Sequence, residues 1–138
     1  MMPPPRPAPT PVSDTQEMIS RMRPWLDPEE HVFASFAGPP PAGLDYRALA
    51  TFREEEGLSM ILPEGAAPGL PMRRIILRVH SSLKGVGLTA AVASALAEAG
   101  IACNVVAAFH HDHVFIPAEQ ADEALTILLD LQAAASGE

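Results

Sequence analysis

The sequence predicts an α+β protein: one antiparallel sheet with helices on one of its faces. Three observations carry this. Residues 73–80 (RRIILRVH) alternate with the period of two that a strand imposes. Residues 88–99 and 118–134 repeat their apolar side chains at helical spacing. Between these two helices, residues 101–117 are rich in β-formers and break only at His110, His111 and Asp112.

Taken in order, residues 1–12 (MMPPPRPAPTPV) are too dense in proline to continue a helix or a ladder, so a mobile extended tail is expected, with residues 1–14 set apart from the fold. Ser13 and Asp14 offer a helix N-cap, with Glu17 in the first turn. Met18, Ile19, Met22, Trp25 and Leu26 then follow at helical spacing in a short helix that Pro24 limits. Residues 31–37 (HVFASFA) predict a strand, stopped by Gly38 and the prolines behind it. Residues 50–62 predict two short strands around Glu55, Glu56 and Gly57, where glycine accepts the positive φ of a hairpin turn. Residues 63–71 are a loop.

The second half is patterned more strongly. In residues 73–80, Ile75, Leu77 and Val79 share one face, and Arg74, Ile76, Arg78 and His80 the other. The loop 81–87 (SSLKGVG) leads to a helix whose stripe is Leu88, Val92, Ala95, Leu96 and Ala99, with Gly100 as its stop. A strand over 101–109, a turn at 110–112 and a strand over 113–117 follow. The last helix presents Ala121, Leu125, Leu128 and Leu131 or Gln132.

Strand, helix, strand, strand, helix is the split βαβ order of ferredoxin-like folds without its last strand. That leaves a sheet edge open, which native proteins cover or pair. The strands of the first half are the expected fillers, so residues 15–72 and 73–134 are expected as two tightly associated units.

Composition narrows the functions. The chain has 138 residues and a net charge of -8, which argues against a phosphate-backbone partner. A lone Cys103 excludes an intramolecular disulfide framework and a cysteine-rich zinc module. The apolar stretch 88–109 is interrupted by Thr89, Ser94, Glu98, Gly100 and Asn104, so no membrane span is expected, and the cytoplasm is the expected compartment.

Several residues invite chemistry. His80, His110, His111, Asp112 and His113 are ligand types for zinc, but no helix presents two imidazoles one turn apart, and a hairpin with locally satisfied polar groups is the plainer reading. No metal or cofactor is expected. Ser81 and Ser82 follow His80 without a nucleophile motif, and Cys103 sits in an apolar strand, so no enzyme is expected. The loop 81–87 is different. It joins a strand to a helix N-terminus, where backbone N–H groups and the positive dipole end attract a carboxylate or phosphate. Ser81, Ser82 and Lys84 add donors, and Gly85 and Gly87 allow close approach. Asn104, polar in an apolar strand, is expected near this loop.

The strings FREEEGLSMILPE, RRIILRVHSSLKGVGLTAAVASALAEAGIACNVVAAFHHDHVFIP and ADEALTILLDL resemble a family of small bacterial ACT-domain proteins, related to the regulatory domains of aspartate kinase. The resemblance spans roughly residues 17–131. It implies a ferredoxin-like ACT fold in a pair of ACT-like units, the first degenerate. It also implies a non-catalytic regulatory module binding a small metabolite, most often an amino acid, and working as a homodimer or with a partner enzyme. Carried onto this chain, the ligand positions are Ser81, Ser82, Leu83, Val86, Gly87 and Leu88 in the loop, then Asn104 and Val105. The N–H groups of Gly87 and Leu88 would receive a carboxylate, the Asn104 amide would meet the amino or carboxylate group, and Leu83 and Val86 would bound the side chain. The competing readings are an adaptor with an empty ACT site, and a metal-binding protein using His80, His111 and His113.

Overall fold

Residues 3–5 and 14–137 are described by a computed structural model of the chain; the expected Pro-rich tail falls largely outside them. Six strands form one sheet. The elements are α1 (Thr15–Ser20), β1 (Trp25–Phe36), α2 (Leu44–Arg47), β2 (Ala50–Glu54), β3 (Gly57–Pro63), β4 (Met72–Leu77), α3 (Leu88–Glu98), β5 (Asn104–Ala107), β6 (Asp112–Pro117) and α4 (Ala121–Ala135), the last entered through a 3-10 turn at Ala118–Gln120. The strand order is β2-β3-β1-β4-β6-β5, and every pairing is antiparallel.

The open edge expected beside β4 is filled by β1, a strand of the first half, which pairs Trp25 with Ile76 and His31 with Met72. Two expectations about this region are corrected. Trp25 and Leu26 are not helical: the Asp14 carboxylate accepts the Glu17 N–H to start α1, but the helix stops at Ser20 and Arg23 takes a positive φ of 41° before Pro24. The strand expected over 31–37 therefore begins at Trp25. Its early residues Asp27, Pro28 and Glu29 form an irregularity between Leu26 and Glu30, where the register with β4 shifts. The short α2 was not expected.

In the second half, β5 is shorter than the 101–109 expected, and Asp112 opens β6 instead of sitting in the turn. The helix α3 ends where expected, with Gly100 at a φ of 72°, although Ala99 is exposed and outside the buried stripe.

The two faces of the sheet differ. On one face α1, α3 and α4 bury Ile75, Leu77, Val114 and Ile116 together with Met18, Met22, Leu88, Val92, Leu96 and Leu128. On the same side of the first half, Val32, Met60 and Leu62 are buried beneath Leu44 of α2 and Ala66 and Ala67 of the loop before β4. Among the described residues no helix covers the opposite face. There Ile61, Met72 and Phe115 form a small cluster against which Ala50 of β2 and Val106 of β5 both pack. In a flat sheet these two edge strands would stand about 24 Å apart. Sharing one cluster requires the sheet to curl on itself, with this face concave.

Candidate functional site

The end of β4 hands the chain into residues 78–87, and the site is built around that segment. Arg78 donates its backbone N–H to the Met22 carbonyl and its Nε to the Arg23 carbonyl, so the segment behind α1 anchors its start. Within the loop, the Gly85 N–H bonds the Ser82 carbonyl at 2.9 Å and the Lys84 N–H bonds Ser82 Oγ at 3.1 Å. The Ser82 oxygen thus shapes the loop itself. Gly87, at a φ of 104°, is the N-cap of α3 and supplies no side-chain acceptor. The first helical bond runs from the Ala91 N–H to the Gly87 carbonyl, so the amides ahead of it have no acceptor within the helix.

These residues wall a cleft of about 570 Å³, a size suited to a metabolite. Ser81, Ser82, Leu83, Val86, Gly87 and Leu88, the loop positions that the resemblance implies, all line it. Leu83 and Val86 are 74% and 76% exposed, at the rim. Lining residues that sequence reasoning missed include Met18 of α1, Thr89, Ala90 and Ala93 of α3, Ala107 of β5, and Asp112 of β6. Gly85 and Gly87 lie so close to α1 that a Cβ would stand 2.9 Å from Met18 Sδ and 2.7 Å from Thr15 Cγ2. Thr15 also donates its hydroxyl to the Val86 carbonyl.

Asp112 is the notable addition. It is 7% exposed, and burial pushes its carboxyl above the ordinary aspartate range, with His111 partly opposing. The ladder places it there: Leu77 pairs with Asp112, and Asp112 with Ala107, at the sheet end from which the loop departs. That register corrects one expectation. Asn104 pairs with Phe115, three residues down β5 from Ala107, and so lies toward the opposite end of the sheet from the loop of its own chain. Asn104 is exposed on the concave face, while Val105 points into the helical core. Neither lines the cleft.

The histidines divide. His80, Phe109 and His110 cluster by their rings, with His80 and His110 centroids 5.2 Å apart. His111 Nδ1 approaches the Val79 carbonyl at 3.5 Å. His113 faces the other way, with Nδ1 3.4 Å from Arg74 Nη1. Among the described residues no three His, Cys, Asp or Glu side chains converge to hold a metal. Cys103 is half-buried, and its burial pushes the thiol pKa up.

An antiparallel sheet with helices on one face and a strand–helix loop opening on a metabolite-sized cleft is an arrangement that can hold a small molecule. Comparison with known proteins gives the family: the ACT domain matches residues 10–74 and again residues 71–130, and the chain belongs to the ACT-domain family. No curated protein matches it. Among solved structures, a Vibrio cholerae protein of unknown function, described as a possible transport protein, is 40% identical with a TM-score of 0.72, covering 83% of this chain and 92% of that one. An Agrobacterium tumefaciens protein is 18% identical, with a TM-score of 0.60 over 75% and 81% of the two chains. The ligand-free regulatory subunit of aspartate kinase from Thermus thermophilus is 12% identical, with a TM-score of 0.57 over 78% and 95%, and shares the fold. ACT domains are regulatory ligand-binding modules, and the chain is of that class; no catalytic family matches it. No helix among the described residues is long and apolar enough to cross a membrane.

Proposed function

We propose that the chain is a non-catalytic cytoplasmic regulatory module that binds a free amino acid in the cleft between the loop 81–88 and β6. One observation carries the reading: the same cleft offers the amide end of α3 and the buried Asp112 carboxylate. A zwitterion is the ligand that answers both. Its carboxylate meets the N-terminal amides of α3, and its ammonium restores the charge partner that burial denies Asp112. Leu83, Val86 and Met18 bound the side chain.

Asn104 joins such a site only from a second copy, since its own loop is at the other end of the sheet, and Val105, its side chain in the helical core, would contribute only through its backbone. A homodimer that brings β5 of one copy to the loop of the other would complete it. The test is calorimetry with the common amino acids, each beside its N-acetyl and carboxamide forms. The expected result is binding of one or two amino acids, lost on blocking either end, and lost in Asn104→Ala. Binding by none of them overturns the reading.

The exposure of Leu83 and Val86 favours one second reading, an adaptor whose loop rim contacts a partner enzyme directly. In that case Leu83→Ser abolishes the partner contact and no amino acid alters it.

A further inference from the structure

The walls of the loop cleft keep their polar and apolar groups apart. The hydroxyls of Ser81, Ser82 and Thr89 lie in the loop and the first turn of α3, beside the amides that have no acceptor within the helix. Asp112 lines the cleft from β6; it is 7% exposed, and no described residue donates a hydrogen bond to its carboxylate. Among the described residues of the wall it is the only ionisable side chain. Lys84, the cation of the loop, is exposed and does not line the cleft.

The remaining wall is small and apolar. Ala90 and Ala93 are three residues apart on α3 and so share one face of that helix. Ala107 and Ala108 line the cleft at the end of β5. All four are exposed or half-buried, so none is committed to the core. Met18 of α1, 1% exposed, adds a thioether, a group that adapts its shape to a neighbour. Such a wall offers a ligand side chain methyl groups and a sulfur, and nothing that pairs with a charge. In a cleft of about 570 Å³, alanines at these positions leave room for a side chain of several heavy atoms.

Resting on the amino-acid reading of this cleft, we infer that the ligand carries an uncharged, apolar side chain of leucine or norleucine size, and that Ala90, Ala93 and Ala107 set that size. The α-carboxylate meets the amides of α3 and the α-ammonium meets Asp112, so both charged ends are placed before the side chain is. An acidic side chain would then bring a second anion near Asp112 with no cation in the wall. A basic one would have to carry its ammonium out past the exposed Leu83 and Val86. A bare hydrogen would leave the alanine wall without contacts.

Calorimetric titration of the full chain with glycine, norleucine, lysine and glutamate tests this. Norleucine should bind about tenfold tighter than glycine or better, the return for burying part of a butyl chain. Lysine has the same carbon chain and adds only the charge, so it should bind about fivefold more weakly than norleucine, and glutamate more weakly still. Ala93→Leu fills the wall from a half-buried position, so norleucine should lose about tenfold while glycine keeps its affinity. Ala107→Leu, at an exposed position on another element, should do the same, and it serves as the test where Ala93→Leu disturbs α3. Lysine or glutamate binding as tightly as norleucine overturns the side-chain assignment and leaves the amino-acid reading in place. A preference for norleucine over glycine that both leucine variants leave unchanged overturns the role of the alanines. Binding of none of the four, nor of any other common amino acid, overturns the reading and this inference together.

Discussion

Asp27 and Arg74 join the two halves of the sequence by a buried ion pair: Arg74 Nε and Nη2 reach Asp27 Oδ2 at 3.2 and 2.9 Å. The other carboxylate oxygen accepts the Glu29 N–H at 2.9 Å and so holds the irregular residues of β1 in place. One side chain therefore fixes both the bulge and the seam between β1 and β4. Burial alone would raise the Asp27 carboxyl, but the Glu29 amide and the Arg74 guanidinium outweigh it and hold the group below the ordinary aspartate value. The stability this contributes is present above the unfolded-chain pKa and is lost as pH falls through the lower folded value.

Asp27→Asn should cost about 3 kcal/mol at neutral pH, because Arg74 is left charged, buried and without its carboxylate. Urea unfolding at pH 7 and at pH 3 checks it. The difference between wild type and variant should shrink at the lower pH; a constant difference would mean that Asp27 acts through packing alone.

Asp112 gives the opposite sign. Its raised carboxyl keeps a proton in the folded state that the unfolded chain has already released, so stability falls as pH rises from the ordinary aspartate value to the folded one, and is then flat. Asp112→Asn should be more stable than wild type at pH 7 by roughly 1 kcal/mol, the scale for relieving a poorly compensated buried group. The same variant should lose any response to amino acids. A variant of unchanged stability and intact ligand response would remove Asp112 from the site.

How far the sequence revealed this molecule depends on which forces each segment obeys. The strand at Ile75 and Leu77 and the helices at Val92 and Leu128 were legible because one buried face sets their period. Trp25 and Leu26 misled because two apolar residues after Met22 continue a helical count; Pro24 and the left-handed Arg23 break it, and pairing with Ile76 and Ile75 claims them for the sheet. The loop 81–87 was legible from its glycines and serines as the connection between β4 and α3. Asp112 was not, since between histidines it reads as a turn residue, and only the ladder to Leu77 and Ala107 brings it to the loop. Asn104 was misplaced for the same reason: residue order locates it after α3, but register decides which end of the sheet it occupies.

The hairpin between β2 and β3 turns on Gly57, whose φ is 150°. A Cβ there would lie 2.4 Å from the Phe36 carbonyl oxygen of the neighbouring strand. That oxygen belongs to the backbone of β1 and cannot swing away. Gly57→Ala should therefore destabilise by about 2 kcal/mol or more, combining strain with displaced pairing. Hydrogen exchange should show the loss first in β2 and the end of β1, with α3 and α4 still protected. Uniform loss across the chain would show that the hairpin and the helical half open as one unit.

Gly87 faces two separable demands. Its φ of 104° is left-handed, and a Cβ would stand 2.7 Å from Thr15 Cγ2. The first demand belongs to the loop, the second to the packing of α1 on it. Gly87→Ala should cost about 2 kcal/mol, of which the left-handed conformation of a residue with a Cβ contributes about 1 kcal/mol or slightly more. Thr15→Ser deletes Cγ2 but keeps the hydroxyl that donates to the Val86 carbonyl. Added to Gly87→Ala, it should recover the steric part and leave the backbone part. Thermal unfolding of the four members of this cycle gives the coupling directly. Full recovery would mean that the loop adopts its shape without strain and that α1 alone enforces glycine. No recovery would mean that α1 yields freely, and that the Thr15 contact does not hold the wall of the cleft.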